Sequence, residues 1–345
     1  MKILLGMSGG IDSTYAAHKL KSEGHTVEGA VLVMHEYTEL EAARQAAESV
    51  GIPLHEIDCR KRFDEEVKRN FIEEYKNART PNPCIICNSE IKFGYLLEYA
   101  ESNGFDAIAT GHYGRVVRIE TDSGIRYALS FASDSGKDQS YMLWRLSQKV
   151  LSKLVLPLSD MSKASVRESS RALGLCAADR PDSQEICFIP SGDHAAFIER
   201  EDGASQGGNF VDEEGRIISE HKGIAHYTVG QRRGLGISAA SRLFVKSIDA
   251  KTGDITVSPN DPTATRVKLK GVVYSGMPEP RTALTLRLSA KLRYSARPVS
   301  ATVTFNMQEA LVELDAPHRA VTPGQSCVLY DGDILVAGGF IDCAE

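Results

Sequence analysis

Ten residues near the start of the chain constrain it most. Leu4-Leu5-Gly6-Met7-Ser8-Gly9-Gly10-Ile11-Asp12-Ser13 join a short apolar run to an amphipathic one. Lys2 to Gly6 reads as a buried strand and Asp12 to Ser22 as the helix after it. Adjacent glycines let the backbone pass close to an anion, and the N–H groups of a helix start favour negative charge. The Ser8 and Ser13 hydroxyls add donors. Asp12 is placed either to cap the helix or to help hold a Mg²⁺ bound to phosphates. A lone Ser-Gly-Gly would mean only a well-capped corner. The whole string after an apolar strand is more specific, and predicts a loop that grips the phosphates of ATP.

The same rhythm continues. Strands are predicted at Thr26–Val33, Leu54–Ile57 and Asp106–Thr110, with helices at Glu39–Val50, Arg60–Asn77 and Asn88–Glu101. Such alternation implies an α/β domain built on a parallel sheet, with ligands at the carboxyl ends of the strands. Ser8–Ser13 and Gly111-His112 both follow a strand and belong on that edge. Past residue 198 the pattern changes. A Gly/Ser-rich linker, residues 201–208, leads into short alternating segments punctuated by turns such as Tyr330-Asp331-Gly332-Asp333, which indicates all-β structure. The expected division is a catalytic domain at 1–198, a small mostly-β central domain at 199–262 and a C-terminal β-barrel at 263–345.

A net charge of -6 does not by itself advertise nucleic-acid binding. Locally, eight basic residues between Arg266 and Arg297 face one acid, Glu279, with Tyr274 and Tyr294 among them. That stretch suits either an RNA backbone or a solvated strand face. No run approaches the roughly 20 apolar residues needed to span a bilayer, and the N-terminal apolar stretch is too short for a signal peptide. The chain therefore reads as cytoplasmic with no membrane partner. Its seven cysteines are sparse and partly clustered, which in a reducing compartment favours catalysis or metal binding over a disulfide framework.

The clustered cysteines lie in Arg79-Thr80-Pro81-Asn82-Pro83-Cys84-Ile85-Ile86-Cys87-Asn88 and in Asp182-Ser183-Gln184-Glu185-Ile186-Cys187-Phe188-Ile189. Asn88 is a plausible cap for the next helix, which would set Cys87 beside a helix N-terminus where a thiolate is favoured. Isolated cysteines such as Cys176 and Cys327 read as small buried residues.

Together these strings resemble the tRNA-specific 2-thiouridylase family, within the PP-loop ATP pyrophosphatase superfamily. Ile91-Lys92-Phe93, Ala109–Tyr113, Lys137–Tyr141, His226–Gly236, Arg293-Tyr294 and Ala320–Gln325 extend the match over almost the full chain in family order. The resemblance implies an enzyme that uses ATP with Mg²⁺ to adenylate the C2 oxygen of wobble uridine 34, then replaces that oxygen with sulfur. AMP and pyrophosphate are released. Cys187 matches the cysteine that carries a persulfide, and Cys87 its partner, able to form a disulfide with it. Gly6, Met7, Ser8, Gly9, Gly10, Ile11, Asp12, Ser13, Leu32 and Gly111 match ATP-contacting positions. Asn82, Pro83 and Cys84 match the segment that receives the flipped target base. His112, Lys137, Asp138, Gln139, Arg293, Tyr294 and Gln325 match tRNA-contacting positions. The implied partners are tRNAs of the Lys, Glu and Gln type and a sulfur donor such as a cysteine desulfurase or sulfur carrier.

The chain departs from the family pattern in three places. Leu32 stands where a methionine is usual. Met34-His35-Glu36-Tyr37 runs straight into a helix without the longer acidic loop of relatives. Cys84 replaces an aspartate of some relatives, so that Cys84, Cys87 and Cys187 form a potential ligand set for a [4Fe–4S] cluster with one open iron. Two further readings compete: an ATP-dependent amidating ligase, and a non-catalytic RNA-binding protein with a relic ATP site. Neither explains both cysteine strings.

Overall fold

The computed structural model describes residues 1–122, 124–176, 186–203, 206–239 and 241–345. Asp182–Glu185 of the second cysteine string lie outside them. Among the described residues the strands are β1 (Lys2–Gly6), β2 (Thr26–Val33), β3 (Leu54–Asp58), β4 (Ala107–Thr110), β5 (Arg115–Thr121), β6 (Gly124–Ser130) and β7 (Leu154–Val155). Then follow β8 (Gly208–Val211), β9 (Ile217–His221), β10 (Phe244–Ile248), β11 (Ile255–Ser258), β12 (Thr263–Tyr274), β13 (Leu284–Lys291), β14 (Val299–Asn306), β15 (Glu309–Arg319), β16 (Ser326–Asp331) and β17 (Ile334–Ala344).

The first sheet has the order β3-β2-β1-β4-β7 and its pairings are parallel. Alternation along β1 sends Ile3 and Leu5 to one face and Leu4 to the other, and each face packs its own core. The helix Ile11–Ser22 follows β1, and Leu40–Val50 follows β2. Arg60–Phe63, Asp64–Lys68 and Arg69–Lys76 make one continuous helical run whose middle part is π-helical. A second such run joins Pro83–Ile86, the π-helical Cys87–Tyr95 and Leu96–Ser102. It starts earlier than the predicted Asn88, with consequences for Cys87 given below.

A four-stranded sheet of order β10-β11-β8-β9 forms the central region. The C-terminal strands close a six-stranded barrel in the order β12-β15-β14-β13-β16-β17, because β12 pairs with both β15 and β17. Along β14, Ala301, Val303 and Phe305 point into its core while their neighbours do not. The hairpin β5–β6 belongs by chain order to the first region, yet it pairs with β17 and extends the barrel sheet. The sequence reading has no counterpart of β5, β6 or β7. Buried aromatics complete this junction. The indole of Trp144 donates to Ser326 Oγ at 3.0 Å and Tyr141 donates to the Ser326 carbonyl at 2.8 Å. A Cβ on Gly338 would lie 2.7 Å from the Trp144 ring, so only glycine leaves room for it. No helix among the described residues is long and apolar enough to cross a membrane.

Candidate active site

The phosphate loop is built almost wholly from backbone. Gly9 has φ +75°, and a Cβ there would sit 2.6 Å from the Ala42 carbonyl carbon. Gly111, after β4, packs so closely on the loop that its Cβ would meet Asp12 C and Ser13 N at 2.6 Å. These two glycines press the loop between the helix Leu40–Val50 and the end of β4. Gly10 is the N-cap of Ile11–Ser22, and no side chain caps that helix. Its first N–H groups therefore lack intrahelical partners and are free for an anion. Ser13 Oγ donates to the Gly10 carbonyl at 3.0 Å and accepts from Ser8 N at 3.3 Å, which sets the loop's curvature. Met7 and Ile11 are buried and offer only backbone, as does Leu32 near the end of β2.

Asp12 departs from the capping expectation. It caps no helix. Its two carboxylate oxygens accept from Tyr113 Oη at 2.7 Å and Lys163 Nζ at 2.6 Å. Each oxygen thus has one donor and keeps a further lone pair. Lys163 is buried and was not anticipated from sequence.

The cysteine segment is a second, differently built site. Asn82 is the helix N-cap: its Oδ1 accepts from Cys84 N at 3.2 Å, and Pro83 occupies the first turn. Asn88 is instead buried inside the helix, donating to the Met142 carbonyl at 3.0 Å. Cys87 therefore does not sit at a helix start. It is buried, 3.7 Å from Met34 Sδ, and burial pushes its thiol up to about 12. The expected thiolate stabilisation by a helix N-terminus is overturned. Cys187 reaches solvent, yet the protein packed around it still raises its thiol. It is fixed by its neighbour Phe188, whose ring meets Phe63, Phe71 and Phe197 edge-on within 5.6 Å.

Lys92 lies among these groups and is the cation that Cys87, Cys187, His112 and His35 all sense. Burial opposes its own charge, but the thiols of Cys87, Cys84 and Cys187 more than offset that and raise its pKa. His112 is driven down to about 3 by burial and then by Lys92, so it is neutral at physiological pH. Its Nδ1 is 2.9 Å from Thr110 Oγ1 and its ring packs against Phe93. His35, 5 % exposed, has neither ring nitrogen hydrogen-bonded. Among the described residues no three His, Cys, Asp or Glu side chains are arranged to hold a metal ion. Cys84, Cys87 and Cys187 thus do not form a ready cluster site.

The target-base segment is held from the barrel. Thr80 N donates to the Pro323 carbonyl, and Gln325 Nε2 to the Thr80 carbonyl, both at 2.8 Å. A Cβ on Gly324 would strike the Thr80 backbone at 2.8 Å. Arg79 donates to Glu74 at 2.7 Å, to the Ile341 carbonyl at 2.7 Å and to Asp342 at 3.2 Å. Gln325 thus joins barrel to loop. Asp138 is also internal, accepting from Ala132 N and Ser140 Oγ, while Gln139 pairs with the Tyr113 backbone. Lys137 is partly exposed beside them. Tyr294 is open to solvent and Arg293 Nε is buried without a partner. Lys291, buried, lies 5.7 Å from the ring centres of both Tyr141 and Tyr294. The basic stretch is partly neutralised: Arg266, Lys270 and Arg287 pair with Glu313, Asp342 and Asp315.

Three family models match in succession: a tRNA methyl transferase HUP domain over residues 1–191, a tRNA methyl transferase PRC-barrel domain over 195–259 and an aminomethyltransferase beta-barrel domain over 265–341. A protein of Clostridium acetobutylicum named tRNA-specific 2-thiouridylase MnmA is 41% identical, with 99% of each chain covered. Proteins of the same name from Acetivibrio thermocellus and Geobacter metallireducens are 39% and 38% identical; 99% of this chain is covered in each case, with 99% and 97% of theirs. Near-complete coverage at this identity, on a parallel-sheet domain with its glycine loop and a closed C-terminal barrel, places the chain in the tRNA-specific 2-thiouridylase family.

Proposed function

We propose that the chain is an ATP-dependent tRNA uridine 2-sulfurtransferase acting on wobble uridine 34. The observation that carries this reading is the pairing of a backbone-built anion loop with two cysteines at one end of the same domain, in a chain whose relatives are named 2-thiouridylases. The loop Gly6–Ser13 with Gly111 orients the ATP phosphates, and Leu32 abuts the nucleotide through its backbone. Mg²⁺, when bound, would neutralise phosphate charge at this loop.

The C2 oxygen of the uridine attacks the α-phosphorus, and the bond to pyrophosphate breaks. A carbonyl oxygen, a poor leaving group, is thereby converted to an AMP ester. The terminal sulfur of a Cys187 persulfide attacks C2, the C–O bond breaks and AMP departs, leaving C2–S–S–Cys187. The Cys87 thiolate then attacks the Cys187 sulfur. The S–S electron pair passes to the sulfur on C2, giving 2-thiouridine and a Cys87–Cys187 disulfide. A thiol reductant and a persulfide donor reset the pair. Asn82, Pro83 and Cys84 receive the extruded base. His112 meets the RNA as a neutral group, and Lys137, Arg293 and Tyr294 meet it at the junction with the barrel. Asp138, Gln139 and Gln325 act there mainly by fixing the backbone.

The domain descriptions speak of methyl transfer, a chemistry with no use for a phosphate loop and two apposed cysteines. Incubation with ATP, a persulfide donor, a thiol reductant and tRNA carrying U34, followed by nucleoside mass spectrometry, separates the readings. We expect 2-thiouridine and stoichiometric AMP. A methylated nucleoside, or AMP formed only on an amino-acid or nucleotide substrate, would refute the proposal.

A further inference from the structure

The basic stretch of the barrel is partly neutralised by carboxylates, but a second basic stretch is not. Between Glu220 and Asp249 the chain carries Lys222, Arg232, Arg233, Arg242 and Lys246 and no acidic residue. Lys246 pairs with Glu213. Arg232, Arg233 and Arg242 are exposed, and among the described residues none of the three has a carboxylate within ion-pair distance. Arg232 and Arg242 line a cleft of about 280 Å³ together with Gly234, Gly236 and Ser241. The backbone sets this cleft. Gly230 N donates to the Val245 carbonyl at 2.8 Å and Val245 N to the Gln231 carbonyl at 2.9 Å, which ties the loop to the start of β10. The Gln231 side chain spans the turn, accepting from Thr228 N and donating to the Arg233 carbonyl, both at 3.0 Å. Leu235 is buried in the central core between Gly234 at φ +77° and Gly236 at φ +71°, a left-handed backbone that glycine adopts without strain. The same loop touches the base-receiving segment and the barrel. Thr80 Oγ1 donates to Thr228 Oγ1 at 3.4 Å, Thr322 Oγ1 donates to the Val229 carbonyl at 3.5 Å, and a Cβ on Gly230 would lie 2.8 Å from Ala320 Cβ.

We propose that the cleft between Arg232 and Arg242 in the central region binds a phosphodiester group of the tRNA backbone, away from the active site. This rests on the reading of the chain as an enzyme that acts on tRNA. Charges of one sign gathered without carboxylates repel one another, and an anion between them relieves that repulsion. Each guanidinium offers a phosphate two parallel N–H donors, and the Ser241 hydroxyl adds a further one. None of the lining residues is aromatic, so the cleft has no platform on which a base would stack. It recognises the charge and shape of a phosphate. Such a contact carries no sequence information and instead sets the register of the nucleic acid on the protein. Here the register is set against Thr80, which the loop contacts directly, so RNA anchored at the cleft is aligned with the segment Asn82–Cys84.

The test measures tRNA affinity of the full chain against salt concentration by fluorescence anisotropy. Arg232→Gln combined with Arg242→Gln is expected to weaken binding about tenfold at roughly 0.1 M salt and to lower the slope of log K against log salt by about 1. The loss should be the same for tRNA with U34 and for tRNA with C34, because a phosphate contact weakens all sequences alike. Lys251→Gln removes an exposed charge of the same region outside the cleft, and is expected to leave affinity within about twofold. Inorganic phosphate distinguishes a free anion from RNA. If the double variant loses thermal stabilisation by phosphate but keeps its tRNA affinity and salt slope, the cleft holds a free anion and the RNA assignment falls. A Lys251→Gln variant as weak as the double variant, or a loss confined to tRNA with U34, would also overturn it. A double variant that binds tRNA as well as an unsubstituted chain able to thiolate it sinks this inference alone. A chain that binds tRNA through the cleft but makes no 2-thiouridine sinks the sulfurtransferase reading alone.

Discussion

The phosphate loop and the cysteine segment are built on opposite plans. The loop is local and made of backbone: Gly9 and Gly111 are there because any Cβ would collide with Ala42 or with Asp12 and Ser13. Its chemistry is fixed within a few residues of chain. The cysteine segment is non-local and made of side chains. Cys87 takes its character from burial, from a loop anchored by Phe188 and from a barrel that grips Thr80. A backbone site tolerates changes of side chain and fails with one added methyl group. A side-chain site fails when any of several distant supports is removed.

The largest expected effect separates the two directly. Cys87→Ser and Cys187→Ser should each reduce 2-thiouridine formation more than about 1,000-fold, because each loses a covalent step, while calorimetry shows ATP affinity changed by less than about twofold. Gly111→Ala should instead strike the ATP-dependent step and leave the cysteines untouched. Misplacing the loop by an ångström costs on the order of 100-fold in AMP formation, with the rate of Cys187 alkylation by iodoacetamide unaltered. If Gly111→Ala disturbs the cysteines as strongly as the loop, the separation fails.

This contrast also explains what could be read from the chain. The loop, β1 and β2 are short-range features, and their extents follow from an apolar run, two glycines and a capping position. Cys87 was misplaced because two asparagines, Asn82 and Asn88, each suit a helix cap. The deciding signal was Pro83, which belongs at the first helical position just after a cap. The hairpin β5–β6 has alternation in Val117-Arg118-Ile119-Glu120, but nothing local reveals that it will pair with β17, some two hundred residues away. Lys92 and Lys163 were beyond reach for a related reason. A lysine in a helix normally reads as solvated, and only the tertiary packing turns these toward thiols and toward Asp12.

Smaller effects sharpen the comparison. Gln325→Ala, combined with Arg79→Ala, loosens the barrel's hold on the segment Thr80–Cys84, which keeps its backbone bond to Pro323. Losing such bonds, each about 1 kcal/mol or somewhat more, should lower kcat/KM for tRNA about tenfold and leave ATP binding within about twofold. Equal losses for both ligands would mean that the barrel supports the whole domain rather than the cysteine segment. Smallest is a pH effect on His112. Its folded pKa, about 3, lies below the usual value of 6.5, so the unfolded chain binds the extra proton first. This histidine therefore removes stability as pH falls from about 6.5 toward 3, and has no such effect above that window. His112→Asn should lose about 2–4 °C less in Tm than the unsubstituted chain between about pH 7 and pH 5. An identical pH slope in both proteins would show that His112 is free to ionise.

The central claim is that ATP activates the uridine oxygen and Cys187 supplies the replacing sulfur. A single-turnover reaction tests it most directly, with Cys187 preloaded with an isotopically labelled persulfide and no other sulfur source present. The account predicts labelled sulfur at C2 of U34, one AMP per 2-thiouridine and a new Cys87–Cys187 disulfide in the same sample. Labelled 2-thiouridine formed without ATP, or labelled product from a Cys187→Ser chain, would contradict it.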